Sequence, residues 1–173
     1  MKRIVLIYGL ILGAFIGAFM LTSTAMTDLE NVDFNDEQIK GYLSFLVGLS
    51  LVFVGIKQVR DKHLGGYISF GTAFKTGLFI LLIGNFIYSL SWTIYHEAAD
   101  SNFAEVYKEH ALSQADNPED RKEIEEQMEF VDTIYGNPIL NFLFTFAIEL
   151  LPVGLVMTLV ASLIFKRKRP ETV

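Results

Sequence analysis

The sequence predicts an all-α polytopic membrane protein: a four-transmembrane-helix bundle with an extracytoplasmic acidic helical hairpin between helices 3 and 4. Hydrophobic residues make up 51% of the 173 positions, and the mean hydropathy of +0.38 exceeds that of ordinary water-soluble domains. The excess is concentrated in four apolar runs of roughly the length that crosses about 30 Å of hydrocarbon. These runs span residues 4–22, 41–56, 73–95 and 138–165.

The charges alternate in sign each time the chain passes an apolar run. Both ends and the link 57–75 together carry a net charge of +8, whereas residues 24–40 and 97–137 carry −13. Lys and Arg in short loops stay on the cytoplasmic side, so the N-terminus, the link and the basic tail 166–173 are expected on that side of a membrane. The acidic segments are expected outside. The absence of cysteine excludes disulfides and thiol chemistry.

The first run contains a glycine at every fourth position, Gly9, Gly13 and Gly17. This spacing places the glycines on one helical face and predicts close packing, within the bundle or against a second copy of the chain. A basic start, an apolar run and small residues at 23–25 also resemble a cleaved secretory signal. The 19 apolar residues exceed the usual signal core of about 7–15, which favours a retained span.

The second run has only 16 residues between two lysines, about 24 Å at 1.5 Å per residue, which is short for a span. Lys40 and Lys57 are therefore expected to lie along the apolar zone and to reach the headgroups with their ammonium groups. Gly41, Gly48 and Gly55 recur every seven residues, and this common face predicts helix packing.

The link after the second run combines a turn at residues 65–66 with basic and aromatic residues. This composition predicts anchoring in the lipid headgroup layer, and a docking site in which Arg60 and Asp61 recognise a partner is the alternative. The charged stretch 57–62 is too short to indicate nucleic-acid binding. The charged residues assigned to lipid or partner contact are Lys57, Arg60, Asp61, Lys62 and Lys75.

The same link carries a family resemblance. Its most specific residues are Lys57, Arg60-Asp61, the run Gly-Gly-Tyr-Ile-Ser-Phe at 65–70, and Gly77. With the four-span layout and the long acidic outer loop, they resemble a bacterial membrane family, mostly from Bacteroidota, known as domain of unknown function 4199 (DUF 4199). The resemblance covers nearly the whole chain and implies a four-helix unit of the inner membrane. It implies no activity and no catalytic or binding residue.

The 41 residues of segment 97–137 are too many for a plain connection, and their apolar residues are helically periodic in two blocks. Asn117-Pro118 marks the start of the second helix. The hairpin is expected to cap the bundle, and a site for cations or for a basic partner is the alternative. The stripes are Phe103, Val106, Tyr107 and His110, then Ile124, Met128, Val131 and Ile134 or Tyr135.

Residues 96–100 read His-Glu-Ala-Ala-Asp and resemble part of the zinc-hydrolase pattern H-E-x-x-H. A catalytic zinc site needs about three protein ligands. The other histidines, His63 and His110, are expected across the membrane and on a loop helix. The sequence therefore predicts no metal site and no cofactor here, but a polar helix end beyond Trp92 and Tyr95.

Glu149 is the one acid inside an apolar run, about eleven residues from Pro138 and hence about 16 Å deep. A lone ionised carboxylate at this depth costs at least about 2.5 kcal/mol, so Glu149 should face the bundle and be protonated, hydrogen-bonded or hydrated. Asn85 is expected at the same depth if the third and fourth helices are antiparallel neighbours. The sequence therefore predicts an Asn85–Glu149 hydrogen bond, with Ser89 one turn outward.

Pro152 adds to this intramembrane site. Proline cannot donate to the carbonyl of Ile148, and the resulting kink is expected to free an acceptor beside Glu149.

Two functions fit these features. A noncatalytic accessory or assembly subunit would use the Glu149 cluster to fix helix register, whereas a small proton- or cation-coupled carrier would titrate Glu149. Four short spans would form only a thin wall around a substrate path, and no inverted repeat is apparent. Carriers usually have a pair of interrupted helices, whereas only one span here carries a proline, so the accessory function is favoured. A membrane metallohydrolase is a distant third. The expected partners are the lipid bilayer and a second copy or another membrane protein, with no nucleic acid.

Overall fold

The computed structural model describes residues 1–28, 32–98 and 103–168, with only the backbone of residues 103–105. Four of its helices are long and apolar enough to cross a membrane, as the sequence predicts, and no strand forms in the described ranges. The helices are α1 (Lys2–Met26), α2 (Phe34–His63), α3 (Phe70–Ala98), α4 (Phe103–Ser113), α5 (Pro118–Tyr135), α6 (Pro138–Phe144) and α7 (Leu151–Phe165). A π-helical segment, Thr145–Leu150, joins α6 to α7, and the three together form the fourth span.

The glycine stripe of α1 lies against α3. A Cβ atom added at Gly9 would lie 2.6 Å from the Cβ of Ile83, and one at Gly13 would lie 2.6 Å from the Cβ of Ile87. The fit at Gly17 is looser, with the nearest atom at 3.3 Å. Because glycine has no side chain, the two backbones approach closely along this face. The stripe therefore packs within the bundle.

The glycines of α2 do not form one continuous packing face. A Cβ at Gly48 would lie 2.8 Å from Ile16 of α1, and Gly55 lies directly against Ile80 of α3. Gly41, in contrast, has no atom within 4 Å of such a Cβ. The expectation of a packing face at all three positions is thus wrong at Gly41.

Helix α2 has 30 residues and is much longer than the apolar run that it contains. It begins after Asp33, whose side chain accepts hydrogen bonds from the backbone N–H groups of Asn35 and Asp36. Near this end Lys40 forms a 2.6 Å ion pair with Glu37 one turn earlier. Hydropathy marks the apolar part of a helix, whereas caps and local ion pairs extend the helix beyond it.

The link between α2 and α3 is shorter than the sequence indicated, because α2 continues to His63. Gly65 and Gly66 have φ angles of +65° and +88°, in the region that favours glycine, and they form the expected turn. Ile68 and Arg167 exchange two backbone hydrogen bonds, of 3.1 and 2.9 Å. This bridge joins the link to the described part of the basic tail.

The segment between α3 and the fourth span contains two helices, α4 and α5, as the stripes predict. Asn117 caps α5 with Pro118 in its first turn. The ring of Phe34 on α2 lies 5.2 Å from that of Tyr107 and 4.8 Å from that of His110. Helix α4 therefore packs against the start of α2, and α5 packs against α6.

The core lies where α1, α2, α3 and α7 meet. Large apolar side chains outside this core remain exposed along the spanning helices, for example Val47 and Ile94 at 59% each. Exposed apolar surface of this extent is what contact with lipid requires. The fully buried apolar residues are Leu12, Ile16, Leu49, Val52, Ile56, Val59, Ala73, Ile80, Leu81, Leu150 and Ala161.

Candidate functional site: a buried polar cluster

A group of polar side chains is buried between α3 and the fourth span. Asn85 and Ser89 of α3 and Asn141 and Thr145 of the fourth span have no exposed surface, and Glu149 is half-buried beside them. We call these five residues the polar cluster. Polar groups inside a spanning bundle are costly unless they are hydrogen-bonded, so their partners define what the cluster can do.

Both carboxylate oxygens of Glu149 face tyrosine hydroxyl groups. The Tyr88 hydroxyl of α3 donates to Oε2 at 2.5 Å, and the Tyr135 hydroxyl of α5 donates to Oε1 at 3.5 Å. The predicted Asn85–Glu149 hydrogen bond is wrong. Depth along two antiparallel helices places residues at one level, but it leaves open which of the side chains at that level face each other.

Asn85 instead bonds the backbone of the fourth span. Its Nδ2 atom donates to the carbonyl of Phe146 at 2.7 Å. Phe146 lies in the π-helical segment, where backbone hydrogen bonds join residues five positions apart instead of four. Pro152 follows this segment in the first turn of α7. The sequence predicts a kink at Pro152 that frees the carbonyl of Ile148. In the structure a π segment precedes Pro152, and Asn85 of α3 bonds the carbonyl of Phe146 instead.

Some hydrogen-bonding capacity of the polar cluster is unused. The Oδ1 atom of Asn85, the Oγ atom of Ser89 and the Nδ2 atom of Asn141 have no partner among the described residues. Thr145 donates to Oδ1 of Asn141 at 3.3 Å. Buried donors and acceptors without partners are unfavourable, so the cluster can accept further polar contacts.

Tyr135 connects the polar cluster to the segment outside the spans. It ends α5, and its ring lies 5.2 Å from that of His96 and 6.5 Å from that of Trp92. Burial raises the pKa of the Tyr135 phenol well above its ordinary value, and the Glu149 carboxylate adds to the increase. The phenol therefore stays protonated and remains a donor to Glu149.

The sequence contains a signal for part of the polar cluster that depth along the helices does not reveal. Asn141, Thr145 and Glu149 are spaced four residues apart and therefore share one helical face. Tyr88 lies three residues after Asn85 on the corresponding face of α3. No periodicity indicated Tyr135, because its role depends on how α5 folds back on the bundle.

The charged residues of the link come together only in part. Lys57, Arg60, Asp61 and Lys62 lie in the last turns of α2. Arg60 bonds Asp61 at 2.7 Å, and its guanidinium lies 5.3 Å from the ring centre of Phe165. Lys75 lies on α3, away from these residues, and lines a pocket together with Lys2.

The His-Glu-Ala-Ala-Asp stretch does not assemble a metal site within the described residues, where no three His, Asp or Glu side chains converge. His96 packs on the rings of Trp92 and Tyr135. Ala99 and Asp100 lie outside the described residues.

Taken together, these features define an all-α protein with four helices able to span a membrane and a half-buried acid held by two tyrosines. The model of the family described as "Protein of unknown function (DUF4199)" matches residues 7–167. The chain therefore belongs to this family, as its link residues indicated. No curated protein and no solved structure matches the chain.

Proposed function

We propose that the protein is a noncatalytic accessory or assembly subunit of a bacterial inner membrane. The observation that carries this proposal is the pairing of Glu149 with tyrosines from two other elements, Tyr88 of α3 and Tyr135 of α5. A carboxyl group held in this way joins the fourth span to α3 and to the segment outside the spans. It fixes their mutual position.

The charge distribution supports an orientation with both termini in the cytoplasm. Lys57 and Lys62 are exposed at one end of the bundle, near the bridge between Ile68 and Arg167. The acidic helix α5 packs at the other end, against α6. Positive charge is retained in the cytoplasm, so both termini are assigned to that side and α4 and α5 to the outside. The basic end would contact anionic lipid or a cytoplasmic partner.

The test of this function is the composition of the protein in its native membrane. The chain is extracted with a lipid-preserving copolymer, separated by size, and analysed by quantitative mass spectrometry. We expect a second protein at a fixed molar ratio across the elution peak. Glu149→Leu should lose this companion because the connection to Tyr88 and Tyr135 is lost, whereas the exposed control Glu126→Leu should retain it. Recovery of this chain alone in every preparation contradicts the proposal.

A proton- or cation-coupled carrier is the second candidate. It is favoured by the π-helical segment around Glu149 and by the unpaired Oδ1 of Asn85 and Oγ of Ser89. Segments of this kind occur frequently at functional sites, and spare polar atoms could accept a cation or a hydrated proton.

Proteoliposomes with an internal pH dye separate the two candidates. A carrier predicts a proton flux that Glu149→Gln abolishes and that the exposed control Glu123→Gln leaves unchanged. An accessory subunit predicts no flux that depends on Glu149. In both cases the variants are first compared with the original protein for folding, by size-exclusion chromatography and helical circular dichroism.

A further inference from the structure

A cavity of about 300 Å³ lies at the end of the bundle that α5 covers, between the end of α3, the helices α4 and α5, and α6. This volume is at the lower end of the range for small-molecule sites, about 300–1,000 Å³. We call it the aromatic cavity, because rings form most of its wall. The side chains that matter here are Trp92, His96, Tyr107, Asp132, Tyr135 and Phe144.

The rings of the aromatic cavity are inclined to one another. Trp92 and Tyr135 are 6.5 Å apart with an interplanar angle of 90°, and Tyr135 and Phe144 are 6.4 Å apart at 66°. Both pairs are edge-to-face, so these three rings lie in different planes along the cavity wall. Aromatic faces are electron-rich, and several of them together attract a cation with an apolar outer surface.

A carboxylate stands in the wall of this cavity. Asp132 lines it and is the one acid that does so among the described residues. Its nearest cation is Lys108, whose Nζ lies 3.7 Å from Oδ2, and both side chains are largely exposed. An exposed ion pair of this length is weak, so Asp132 remains available to a second positive group.

We propose that the aromatic cavity binds a substituted ammonium group. The rings of Trp92, Tyr107 and Tyr135 would contact its alkyl surface by cation–π interaction, and Asp132 would balance its charge. An alkylammonium ion fits this wall better than a neutral apolar molecule, which would gain nothing from the carboxylate. The proposal does not depend on the accessory or carrier function.

The chain offers a direct reporter of occupancy, because Trp92 is its only tryptophan. The purified full-length protein in nonionic detergent is titrated with choline and, separately, with its neutral isostere 3,3-dimethylbutan-1-ol while Trp92 fluorescence is recorded. We expect a saturable change with choline, and we expect the affinity for the alcohol to be lower by a factor of about ten or more. Equal affinities, or no saturable change with choline, would overturn the proposal.

Charge variants test the role of Asp132 in both directions. Asp132→Asn should weaken choline binding by about threefold to tenfold, because the counter-charge is lost. Lys108→Gln should strengthen binding, because the competing cation is removed. Glu126→Gln, an exposed change on the same helix that does not line the cavity, should leave affinity unchanged. Opposite effects at Asp132 and Lys108 support the site, whereas the same sign at both contradicts it.

The ammonium group could belong to a lipid headgroup or to a free solute, and two bilayers distinguish these sources. Choline is titrated into nanodiscs of phosphatidylethanolamine and into nanodiscs of the neutral glycolipid digalactosyldiacylglycerol. A choline affinity severalfold lower in phosphatidylethanolamine supports the site and identifies the headgroup as the competitor. Equal, saturable binding in both supports the site and identifies a free solute. Loss of binding in both bilayers contradicts the proposal.

Discussion

The hydroxyl group of Tyr88 is the closest hydrogen-bond donor to Glu149. Its 2.5 Å bond to Glu149 joins α3 to the fourth span, and the Tyr88 side chain is almost fully buried at 4% exposure. Inside the bundle little water is available to replace a lost donor. The Tyr88 hydroxyl is therefore the shorter of the two tyrosine hydrogen bonds that satisfy the Glu149 carboxyl group.

Removing that hydroxyl should destabilise the fold. Tyr88→Phe keeps the ring, which packs 5.6 Å from Phe45, and deletes only the donor. We expect a loss of about 1–3 kcal/mol of unfolding free energy, measured by denaturation in mixed micelles. Tyr42→Phe, at an exposed position on α2, is the matched control and should change stability by less than about 0.5 kcal/mol. Equal losses in the two variants would show that the bond carries no net stability.

Counting residues along the spans predicts how deep each polar residue of the site lies, but not which of them contact each other. Counting along the helices correctly placed Glu149 and Asn85 on neighbouring elements, α3 and the fourth span. It could not decide that Asn85 would bond Phe146 and that Tyr88 would bond Glu149. That choice depends on helix rotation and on the π segment, which shifts side-chain directions locally.

At the scale of helices, the contact between α1 and α3 is the most extensive in the bundle. It depends on close approach at glycine. A Cβ at Gly13 would lie 2.7 Å from the backbone oxygen of Gly84, which cannot move aside as a flexible side chain can. The four-residue glycine spacing predicted this face, because small residues at this interval are typical of tight helix pairs in membranes.

Two glycine substitutions should have opposite effects. Gly13→Ala should destabilise the bundle by about 1–3 kcal/mol, because its methyl group meets backbone and the Cβ of Ile87. Gly41→Ala, where no atom lies within 4 Å, should be neutral or stabilising by up to about 1 kcal/mol, because alanine favours a helix interior. Thermal unfolding of the two variants in the same detergent compares them. A Gly41→Ala loss as large as that of Gly13→Ala contradicts this account.

Asn85 of the neighbouring helix α3 donates a hydrogen bond to the π segment of the fourth span. Without its amide donor, the carbonyl of Phe146 would lose a 2.7 Å bond in a segment whose ladder is already irregular. Asn85→Leu should therefore speed amide hydrogen exchange in Thr145–Leu150 while exchange in α7 beyond Gly154 changes little. Ser50→Leu on α2, at an exposed polar position, is the control and should leave the exchange of this segment unchanged. Uniform acceleration along the whole span would indicate general destabilisation instead.

At the scale of the whole molecule, four helices and their order followed from hydropathy, but the joining of link and tail did not. The bridge between Ile68 and Arg167 and the packing of Arg60 on Phe165 bring together residues that are about a hundred positions apart. Local sequence patterns cannot predict contacts between residues so far apart in the chain. For the same reason no local pattern predicts the aromatic cavity, which is lined by residues of four helices.

The orientation of the bundle gives the last prediction, and the absence of cysteine makes it directly measurable. Lys62→Cys at the end of α2 and Glu123→Cys on α5 are both exposed positions, so each introduces one reactive thiol. Because positive charge is retained inside, a membrane-impermeant maleimide added to intact cells should label the α5 variant alone. Both variants should be labelled after the cells are permeabilised, which controls for accessibility. Labelling of both in intact cells would mean that the two sites share one side of the membrane, and labelling of the α2 variant alone would mean that the bundle is inverted.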